Sequence, residues 1–382
     1  MKKIIRVTTI PASLHTLLRG QLKFMNSYYE MVGIASEDEL LAVVHKTQNV
    51  RVIPVEMTRK ITPIQDLKAV FTLYKIFKKE KPFIIHSHTP KAGTVAMLAA
   101  KIARVPHRLH TIAGLPLVEA KGLKKLVLHM VEKVTYACAT KIYPNSFGLQ
   151  EIILKNKFTT ATKMKIIGNG SSNGIDVTDF DPGLFTPESK ANLRNSLKLK
   201  ENDIVFIFVG RLVKDKGINE LIASFTKLNT LYPQAKLLLV GKYEKELDPV
   251  LPKTEDAILN SPDIALVGWQ QDVRPFFSIA NVLTFPSYRE GFPNVVMQAG
   301  AMGLYSIVSD INGCNEIIIE GENGSIIPPK EEELLYEKMK LICEAKIKID
   351  PKRNRQLIVD RYEQNFVWHE ILKEYQSLEI TK

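Results

Sequence analysis

Two basic side chains follow an apolar run in the second half of the chain, in a pattern suited to phosphate binding. Residues 204–209 are all apolar, Gly210 and Arg211 come next, and Lys216 and Gly217 follow shortly after. Arginine offers a planar fork to phosphate oxygens, whereas lysine offers a mobile point charge. We interpret the pair as one side of a diphosphate site. An exposed basic loop that is merely solvated is the alternative.

A second segment of the same half has the features of an anion site at a helix N-terminus. The apolar stretch 280–285 leads into a Pro-Ser turn, and Glu290 and then a helix follow. Pro293 suits the first helical position, because its missing N–H costs nothing there. The amides of Asn294 and Val295 and the helix dipole would then face a phosphate beyond the end of the strand.

Gln298 lies roughly one helical turn deeper than Pro293. A carboxylate at the helix entrance (Glu290) and an amide one turn inside are spaced to hold the two ends of one elongated ligand. An ordinary strand-turn-helix with Glu290 as a solvated cap fits this segment equally well.

Both segments need parallel strands behind them, because open α/β sheets bind ligands outside the carboxyl ends of their strands. With 382 residues, 45% of them hydrophobic, the chain most simply makes two domains. Short apolar runs alternate with amphipathic stretches throughout, which predicts parallel sheets built from βαβ units. In the first half the predicted strands cover 4–10, 40–45, 51–55, 83–88, 108–112, 141–144 and 165–168, and the helices 66–77, 93–103 and 124–138.

The second half repeats this alternation. Its predicted strands cover 204–209, 236–240, 264–267, 282–285 and 306–309, and its last three helices 330–345, 352–362 and 367–378. Turn-forming residues concentrate at 168–176 and 181–183, which predicts a domain boundary there. We predict two Rossmann-like domains, 1–182 and 183–363, and a C-terminal helical segment, 364–382.

The charge is distributed unequally along the chain. Residues 1–185 hold 27 Lys/Arg and 13 Asp/Glu, whereas the remainder holds 25 and 28. A basic first half predicts a polyanionic partner such as anionic lipid, a phosphorylated carrier or nucleic acid, although surface lysines that only aid solubility are an alternative. Three widely spaced cysteines and the absence of an apolar run of about 18 residues are typical of a cytoplasmic protein, soluble or peripheral.

Two familiar phosphate-binding motifs are missing. No G-x-x-x-x-G-K-[ST] sequence occurs, which excludes a P-loop enzyme, and no G-x-G-x-x-G follows the first strand, which argues against a dehydrogenase. The sequence Asp179-Phe-Asp181 lies in the predicted linker and not at a strand end. We therefore predict no metal and no cofactor.

At this point the chain resembles the retaining, nucleotide-sugar-dependent glycosyltransferases of family 4 (glycosyl transferases group 1), which assemble bacterial capsule, O-antigen and lipid-linked glycans. Six matching motifs run in the same order over most of the chain. They are His86-Ser-His88-Thr-Pro-Lys91-Ala-Gly93, His110-Thr111, Asn173-Gly-Ile-Asp176, Gly210-Arg211 with Lys216-Gly217, Pro286-Ser with Glu290-Gly-Phe-Pro, and Gly313 with Glu316 and Gly321-Glu-Asn-Gly324. The resemblance implies the GT-B fold, two facing Rossmann-like domains with a C-terminal helix that returns to the first.

The resemblance also implies roles for individual residues. Arg211 and Lys216 would hold the donor diphosphate and stabilise it as it leaves, Glu290 would contact the donor sugar, and His110 would hydrogen-bond the reacting sugar. Further donor contacts would come from Gly210, Trp269, Gly291, Phe292, Pro293, Asn294, Val295 and Gln298, and acceptor contacts from Ser13, His88 and Lys91. For His86 we favour a hydrogen-bonded core histidine.

Two positions depart from the family pattern. Gln298 replaces the second of the family's paired glutamates, which accepts hydrogen bonds from the ribose; an amide oxygen still accepts one, with a loss on the order of 1 kcal/mol. The first loop, 10–20, lacks the glycine-rich turn of many relatives, and Ser13 is predicted to cap the helix that follows.

The activity implied is transfer of a hexose or N-acetylhexosamine from a nucleotide sugar, UDP-sugar for preference, to a polyprenyl-diphosphate-linked saccharide. Residues 121–131, together with Arg59-Lys60 and the lysines at 75–81, form basic amphipathic stretches suited to the cytoplasmic face of the inner membrane. Core helices with solvated lysines are the alternative. Rival functions are a nucleotide-sugar 2-epimerase of similar fold, a nucleic-acid-binding protein and an inactive partner subunit.

Overall fold

A computed structural model describes residues 1–58, 62–115, 117, 122–244, 246 and 248–380. The chain forms two units: Met1–Gly174 with the C-terminal helix, and Ile175–Glu363. The division lies before the predicted one after residue 182, because the backbone N–H of Ile175 donates to the Tyr362 carbonyl at 2.8 Å. Arg355 likewise donates to the carbonyls of Val177 (2.8 Å) and Phe180, which joins residues 175–181 to the second unit.

The first unit contains a parallel sheet in the order β3-β2-β1-β4-β5-β6. Its strands are β1 Lys3–Val7, β2 Glu30–Ala35, β3 Arg51–Pro54, β4 Ile84–Ser87, β5 His107–Ile112 and β6 Lys141–Pro144. Its helices are α1 Gln21–Met25, α2 Glu39–Gln48, α3 Pro63–Glu80, α4 Pro90–Ile102, α5 Gly122–Cys138, α6 Phe147–Lys155 and the last helix of the chain, α15 Gln364–Ile380.

Successive residues of β1 belong to different apolar clusters, because side chains alternate across a strand. Ile5 and Val7 pack with side chains of α3, α4 and α6, whereas Ile4 packs with α1, α2 and α15. The sheet is therefore covered by helices on both faces, as parallel sheets are. Within the described residues, no helix is both long and apolar enough to cross a membrane.

The second unit repeats the topology of the first. Its sheet order is β12-β11-β10-β7-β8-β9. Read from β9, with β7 counted as the first strand, this is the same order as in the first sheet. The strands are β7 Ile204–Val209, β8 Ala235–Val240, β9 Ile264–Gly268, β10 Val282–Phe285, β11 Tyr305–Ser309 and β12 Gly324–Ile327. The helices are α7 Pro187–Ser196, α8 Ile218–Asn229, α9 Pro252–Asn260, α10 Arg274–Ile279, α11 Asn294–Ala301, α12 Cys314–Ile317, α13 Glu332–Cys343 and α14 Pro351–Tyr362.

This strand order confirms the predicted Rossmann-like class and places a topological switch point in each unit, between β1 and β4 and between β7 and β10. Ligands of doubly wound sheets bind at such points, where successive connections leave to opposite sides.

Several element predictions were wrong. Residues 40–45 lie in α2, where the Asp38 side chain caps the helix by accepting from the Leu40 N–H at 2.8 Å. The buried positions of this helix, Leu41, Val44 and Gln48, recur at helical spacing. The predicted strand 165–168 is not a strand; only Met164 forms an isolated bridge, to Ile142. Strands β2 and β12 were not predicted.

A buried polar network fixes α15 to the sheet of the first unit. The guanidinium of Arg6 in β1 is fully buried and donates to the Tyr375 hydroxyl and to Gln21 Oε1. The same Tyr375 hydroxyl lies 2.6 Å from His86 Nδ1. Burial lowers the pKa of Arg6, because a guanidinium cation loses hydration inside the core. Tyr375 therefore supplies an acceptor that this cation needs.

Replacement Tyr375→Phe should destabilise the protein by roughly 1–3 kcal/mol, because a buried N–H of Arg6 loses its acceptor. The measurement is the thermal unfolding midpoint. Tyr28→Phe is the matched control, since Tyr28 is exposed in the same unit. Equal midpoints for the two variants would contradict this account of how α15 is held.

Candidate active site

The switch point of the second unit collects the charged side chains that the sequence singled out. Strands β7 and β10 are paired neighbours in the sheet. Gly210 and Arg211 follow β7, and residues 286–293 follow β10, so both segments leave the sheet at its carboxyl edge.

Lys216 and Glu290 form the central contact of this edge. Lys216 Nζ donates to Glu290 Oε1, and the Ser287 hydroxyl donates to the same oxygen at 3.0 Å. The two charged side chains are only 15% and 16% exposed. A partly buried cation is thus held beside a partly buried carboxylate, and both stay accessible to a ligand at the strand end.

Gly217 brings the β7 and β10 loops together. It has φ +70, and a Cβ atom at this position would lie 2.1 Å from the Pro286 carbonyl oxygen. A side chain is excluded both by the left-handed backbone and by the neighbouring loop. The glycine after Lys216 therefore sets how closely that lysine approaches the segment that carries Glu290.

Arg211 lies at the more open side of the same edge. Its Nη1 donates to Glu244 Oε2 at 2.8 Å, and this hydrogen bond raises the pKa of Arg211. The arginine side chain is 43% exposed. Glu244 was not predicted as a partner, since it comes from the segment after β8 and is brought near only by the sheet order.

A second ion pair stabilises the β10 loop. Arg289 donates to Asp215 Oδ2 through Nε at 3.0 Å and through Nη2 at 2.7 Å. The hydroxyl of the preceding residue, Tyr288, donates to Glu220 Oε1 of α8 at 2.6 Å. The residues that directly precede Lys216 and Glu290 are thus fixed to each other as well.

Helix α11 begins one residue later than the sequence predicts. Pro293 is the N-cap, with an extended ψ of 111, and Asn294 is the first helical residue. The prediction of Pro293 at the first helical position was wrong, because the chain is still extended as it passes beside Gly313. Asn294 is exposed and Gln298 half-buried.

The remaining predicted donor contacts also lie in this unit. Trp269 follows β9 and is largely exposed, and the Gln270 amide donates to the Val267 carbonyl at 2.8 Å, which closes the turn. Gly291 is half-buried and Phe292 buried, its ring 5.4 Å from that of Tyr362. Whether they contact a donor stays a prediction.

Asn312 was not singled out by the sequence analysis. It lies after β11, and its Nδ2 donates to the carbonyl oxygens of Glu290 and Gly291, the latter at 3.2 Å. The only sequence signal near it is the adjacent Gly313. That glycine has φ +80 and would place a Cβ 2.6 Å from the Gly291 oxygen.

In the first unit, His110 is buried beside the switch point. Its Nδ1 lies 2.9 Å from the Ser87 hydroxyl, and a Cβ atom on Gly93 would lie 2.4 Å from its Cε1. Burial lowers the pKa of His110 to about 4, so that the imidazole is neutral near pH 7. The family pattern of a glycine at 93 and a histidine at 110 thus has a packing explanation.

The other histidines differ in their hydrogen bonding. His86 contacts the Tyr375 hydroxyl and, through Nε2, the Thr111 hydroxyl at 2.8 Å, which confirms the core interpretation. His88 is 2% exposed, and neither of its ring nitrogens has a hydrogen-bond partner among the described residues. It lines a small cavity with Asn145 and Ser172.

Lys91 and Ser13 are the other predicted acceptor contacts, and each is held by its own local structure. Lys91 Nζ forms an ion pair with Asp66 of α3. Ser13 begins a π-helical turn, Ser13–Leu17, whose N-cap residue is Ala12 without a side-chain cap. The prediction that Ser13 caps the following helix was therefore wrong, because the preceding turn positions it inside the helical segment.

The outer side of α5 is apolar. Leu123, Leu126, Val127, Met130 and Val134 are exposed at helical spacing, while its inner side carries buried polar residues such as Glu132 and Thr135. On α3, Ile64, Leu67 and Phe71 are exposed in the same way. Helix α4 packs against both. We call these eight residues the α3/α5 apolar surface.

Exposed lysines accompany the α3/α5 apolar surface: Lys68, Lys75, Lys125 and Lys133. Lys75 Nζ lies 4.3 Å from the centre of the Phe71 ring, so its ammonium group forms a cation–π contact with that ring. Of the other basic residues that were predicted to contribute, Arg59, Lys60 and Lys121 lie outside the described residues.

Comparison with known proteins identifies two sequence families. Residues 189–358 match the model described as glycosyl transferases group 1, and residues 9–146 match that described as glycosyl transferase 4-like. The capsular polysaccharide biosynthesis glycosyltransferase CapM of Staphylococcus aureus is 33% identical, over 98% of this chain and 97% of that protein. An Escherichia coli UDP-Gal:alpha-D-GlcNAc-diphosphoundecaprenol alpha-1,3-galactosyltransferase is 32% identical, over 71% and 69%.

Solved structures share the fold at low identity. A glycosyltransferase from Rickettsia africae superposes with a TM-score of 0.81 at 18% identity, covering 100% of this chain and 99% of that one. Anabaena HepE in complex with UDP gives 0.80 at 18% identity, covering 99% and 100%. These similarities confirm the GT-B fold class.

Replacement Gly217→Ala should lower the thermal midpoint more than Gly268→Ala. Both glycines have φ near +70, but nothing lies within 4 Å of a Cβ on Gly268, whereas the Pro286 carbonyl blocks one on Gly217. The left-handed backbone costs roughly 1–2 kcal/mol in each, and the loop displacement adds to Gly217→Ala alone. Equal shifts would contradict the close approach of the two loops.

Proposed function

Because the chain belongs to the group 1 glycosyl transferases, an enzyme family of GT-B fold, we propose that it transfers a hexose or N-acetylhexosamine from a UDP-sugar to a polyprenyl-diphosphate-linked saccharide. The observation that carries this proposal is the placement of Arg211, Lys216 and Glu290 at one switch point. The E. coli relative named above acts on a diphosphoundecaprenol-linked sugar with a UDP-sugar, and a Campylobacter jejuni relative, 28% identical over 89% of this chain and 91% of that protein, is named for a similar acceptor.

The donor diphosphate is assigned to the second unit. Lys216 is paired with Glu290, and Arg211 with Glu244. Each of these cations can bind a phosphate oxygen while it keeps its contact with the carboxylate. The first-turn amides of α11 add partial positive charge at the same strand end. Glu290 is assigned to the sugar hydroxyls, since it accepts hydrogen bonds and lies next to the lysine. Gln298 is assigned to the ribose.

The reaction needs stabilisation of negative charge as the sugar–phosphate bond breaks. The bond between the anomeric carbon and the distal phosphate oxygen breaks with its electron pair on the diphosphate, while the acceptor hydroxyl oxygen bonds to the anomeric carbon. The hydroxyl proton passes to the departing phosphate. Lys216 and Arg211 supply the preorganised charge that lowers the barrier, without a metal ion. Attack on the face that the diphosphate leaves retains the anomeric configuration.

His110 is assigned to the reacting sugar from the family resemblance. The neutral imidazole that follows from its low pKa offers one donor and one acceptor nitrogen. Its contact with Ser87 fixes the ring orientation, so we assign the role of His110 to hydrogen bonding rather than to charge. Ser13, His88 and Lys91 are assigned to the acceptor on the same basis.

The α3/α5 apolar surface is assigned to an anionic bilayer, where a lipid-linked acceptor resides. Its apolar side chains project outward beside Lys68, Lys75, Lys125 and Lys133, a combination that buries apolar groups in the lipid interface while lysines contact anionic headgroups. We infer that the enzyme is peripheral on the cytoplasmic face of the membrane.

Replacement Lys216→Ala should reduce kcat by about 10²-fold or more and change the donor KM less, because the lost charge acts mainly on the departing diphosphate. Release of nucleoside diphosphate is measured with and without a polyprenyl-diphosphate-linked saccharide, in EDTA. Lys214→Ala is the control, since Lys214 is exposed two residues away. An unchanged kcat in Lys216→Ala would contradict the assignment, and release that needs no acceptor would favour the epimerase.

Replacement of Leu126 and Met130 together by glutamine should reduce binding to vesicles that contain anionic phospholipid by about tenfold or more, because two apolar side chains no longer enter the interface. The measurement is co-sedimentation at two salt concentrations. The control is Leu231→Gln with Leu259→Gln, two exposed leucines of the second unit. Equal losses in both double variants would exclude this surface as the membrane contact.

A further inference from the structure

Asn312 holds the backbone of the segment that carries Glu290. It lies beyond the end of β11, the strand that pairs with β10. Its side-chain amide donates to two successive carbonyl oxygens, those of Glu290 and Gly291. The contact therefore crosses from one strand end to the next and involves the main chain of Glu290 rather than its carboxylate.

An amide group is suited to this position because it presents two N–H groups from one nitrogen. The carbonyl oxygens of Glu290 and Gly291 are two acceptors, so they need two donors. A half-buried carbonyl without a hydrogen-bond donor destabilises the folded protein. A serine could satisfy one of them and an alanine neither. The side chain of Asn312 is thus matched to the number and direction of the acceptors.

The adjacent glycine shows how closely the two loops approach. A Cβ on Gly313 would lie 2.8 Å from the Phe292 Cα as well as 2.6 Å from the Gly291 oxygen. The N–H of Gly313 is directed to Glu316 Oε1 at 3.3 Å, which starts α12. Asn312 and Gly313 together form a surface against which residues 290–292 lie.

Glu290 is consequently fixed from two sides. Lys216 and Ser287 contact its carboxylate, whereas Asn312 contacts its carbonyl. If Lys216 turns toward a diphosphate, the carboxylate keeps only the Ser287 hydroxyl of these two partners, and the contact with Asn312 still holds the main chain of Glu290.

We propose that Asn312 is a positioning residue for recognition of the donor sugar. The proposal rests on the proposed function, in which Glu290 contacts the sugar hydroxyls and Lys216 and Arg211 contact the diphosphate. Because Asn312 acts on Glu290 alone among these three, its loss weakens binding of the sugar moiety and spares binding of the nucleoside diphosphate.

The test compares two ligands on wild type, Asn312→Ala and Asn312→Ser by calorimetric titration. UDP and the UDP-sugar that the wild type turns over are the probes. For Asn312→Ala we expect the Kd of the UDP-sugar to rise about tenfold, as loss of two hydrogen bonds implies, and that of UDP to stay within about twofold. Asn312→Ser, which keeps one donor, should give an intermediate value.

Asn315→Ala is the matched control. Asn315 lies on the same segment and is exposed. Within the described part of the chain, its side-chain amide donates to Asp310 Oδ1 at 2.8 Å and not to the segment that carries Glu290. It should leave both dissociation constants unchanged. An equal rise for UDP and the UDP-sugar in Asn312→Ala, or no rise for either, would overturn the proposal.

Hydrogen exchange separates this proposal from the proposed function. The amides of residues 290–292 should exchange faster in Asn312→Ala than in Asn315→Ala, with or without ligand, whereas those of α11 should not change. If the wild type binds no nucleotide sugar, the proposed function fails and so does the role in sugar recognition, while faster exchange would still establish the contact itself. Unchanged exchange together with selective loss of the sugar would overturn the assignment of Asn312 to loop positioning.

Discussion

The site of the second unit depends on the close approach of the loops after β7 and β10. Parallel strands that are neighbours at a switch point send their connections to opposite sides, which leaves room for a ligand between them. Here that room is narrowed by Gly217, whose missing side chain lets the backbone reach the Pro286 carbonyl. The approach brings Lys216 to Glu290. Every further contact at this edge, from Ser287 to Asn312, adjusts or supports this one arrangement.

Charge balance explains why Lys216 and Glu290 can both be partly buried at this edge. A partly buried lysine or carboxylate alone is unfavourable, whereas the pair compensates each other and leaves the lysine able to exchange its partner. Arg211 and Glu244 are also paired, at a more exposed position. In the first unit, by contrast, the two terminal nitrogens of the buried Arg6 guanidinium donate to neutral acceptors, Tyr375 and Gln21, and there the network serves to hold α15.

Apolar patterning predicted much of the fold, because fully buried parallel strands form continuous apolar runs. The bounds of β6, β7 and β10 were predicted as the structure has them. The segment 40–45 was misassigned because a short apolar run does not distinguish a strand from a helix, and the capping residue Asp38 decides for the helix. Glycine and serine at the start of β12 gave no strand signal.

The sequence predicted the site residues that lie next to strand ends. It did not predict the residues that reach the site only through tertiary contacts. Lys216 and Glu290 were assigned to one site because each lies beside a strand end. Glu244 and Asn312 gain their roles only through the order of β7, β8, β10 and β11 in the sheet, which residue types do not reveal. The start of α11 was misplaced by one residue, since the approach of Gly313 keeps Pro293 extended.

A crystal structure of the protein with UDP, grown in EDTA, tests the central claim most directly. The account predicts the diphosphate at the carboxyl edge of β7 and β10, with phosphate oxygens within hydrogen-bonding distance of Lys216 Nζ and the Arg211 guanidinium. A diphosphate bound away from this edge, with Lys216 and Arg211 still contacting only Glu290 and Glu244, would contradict it.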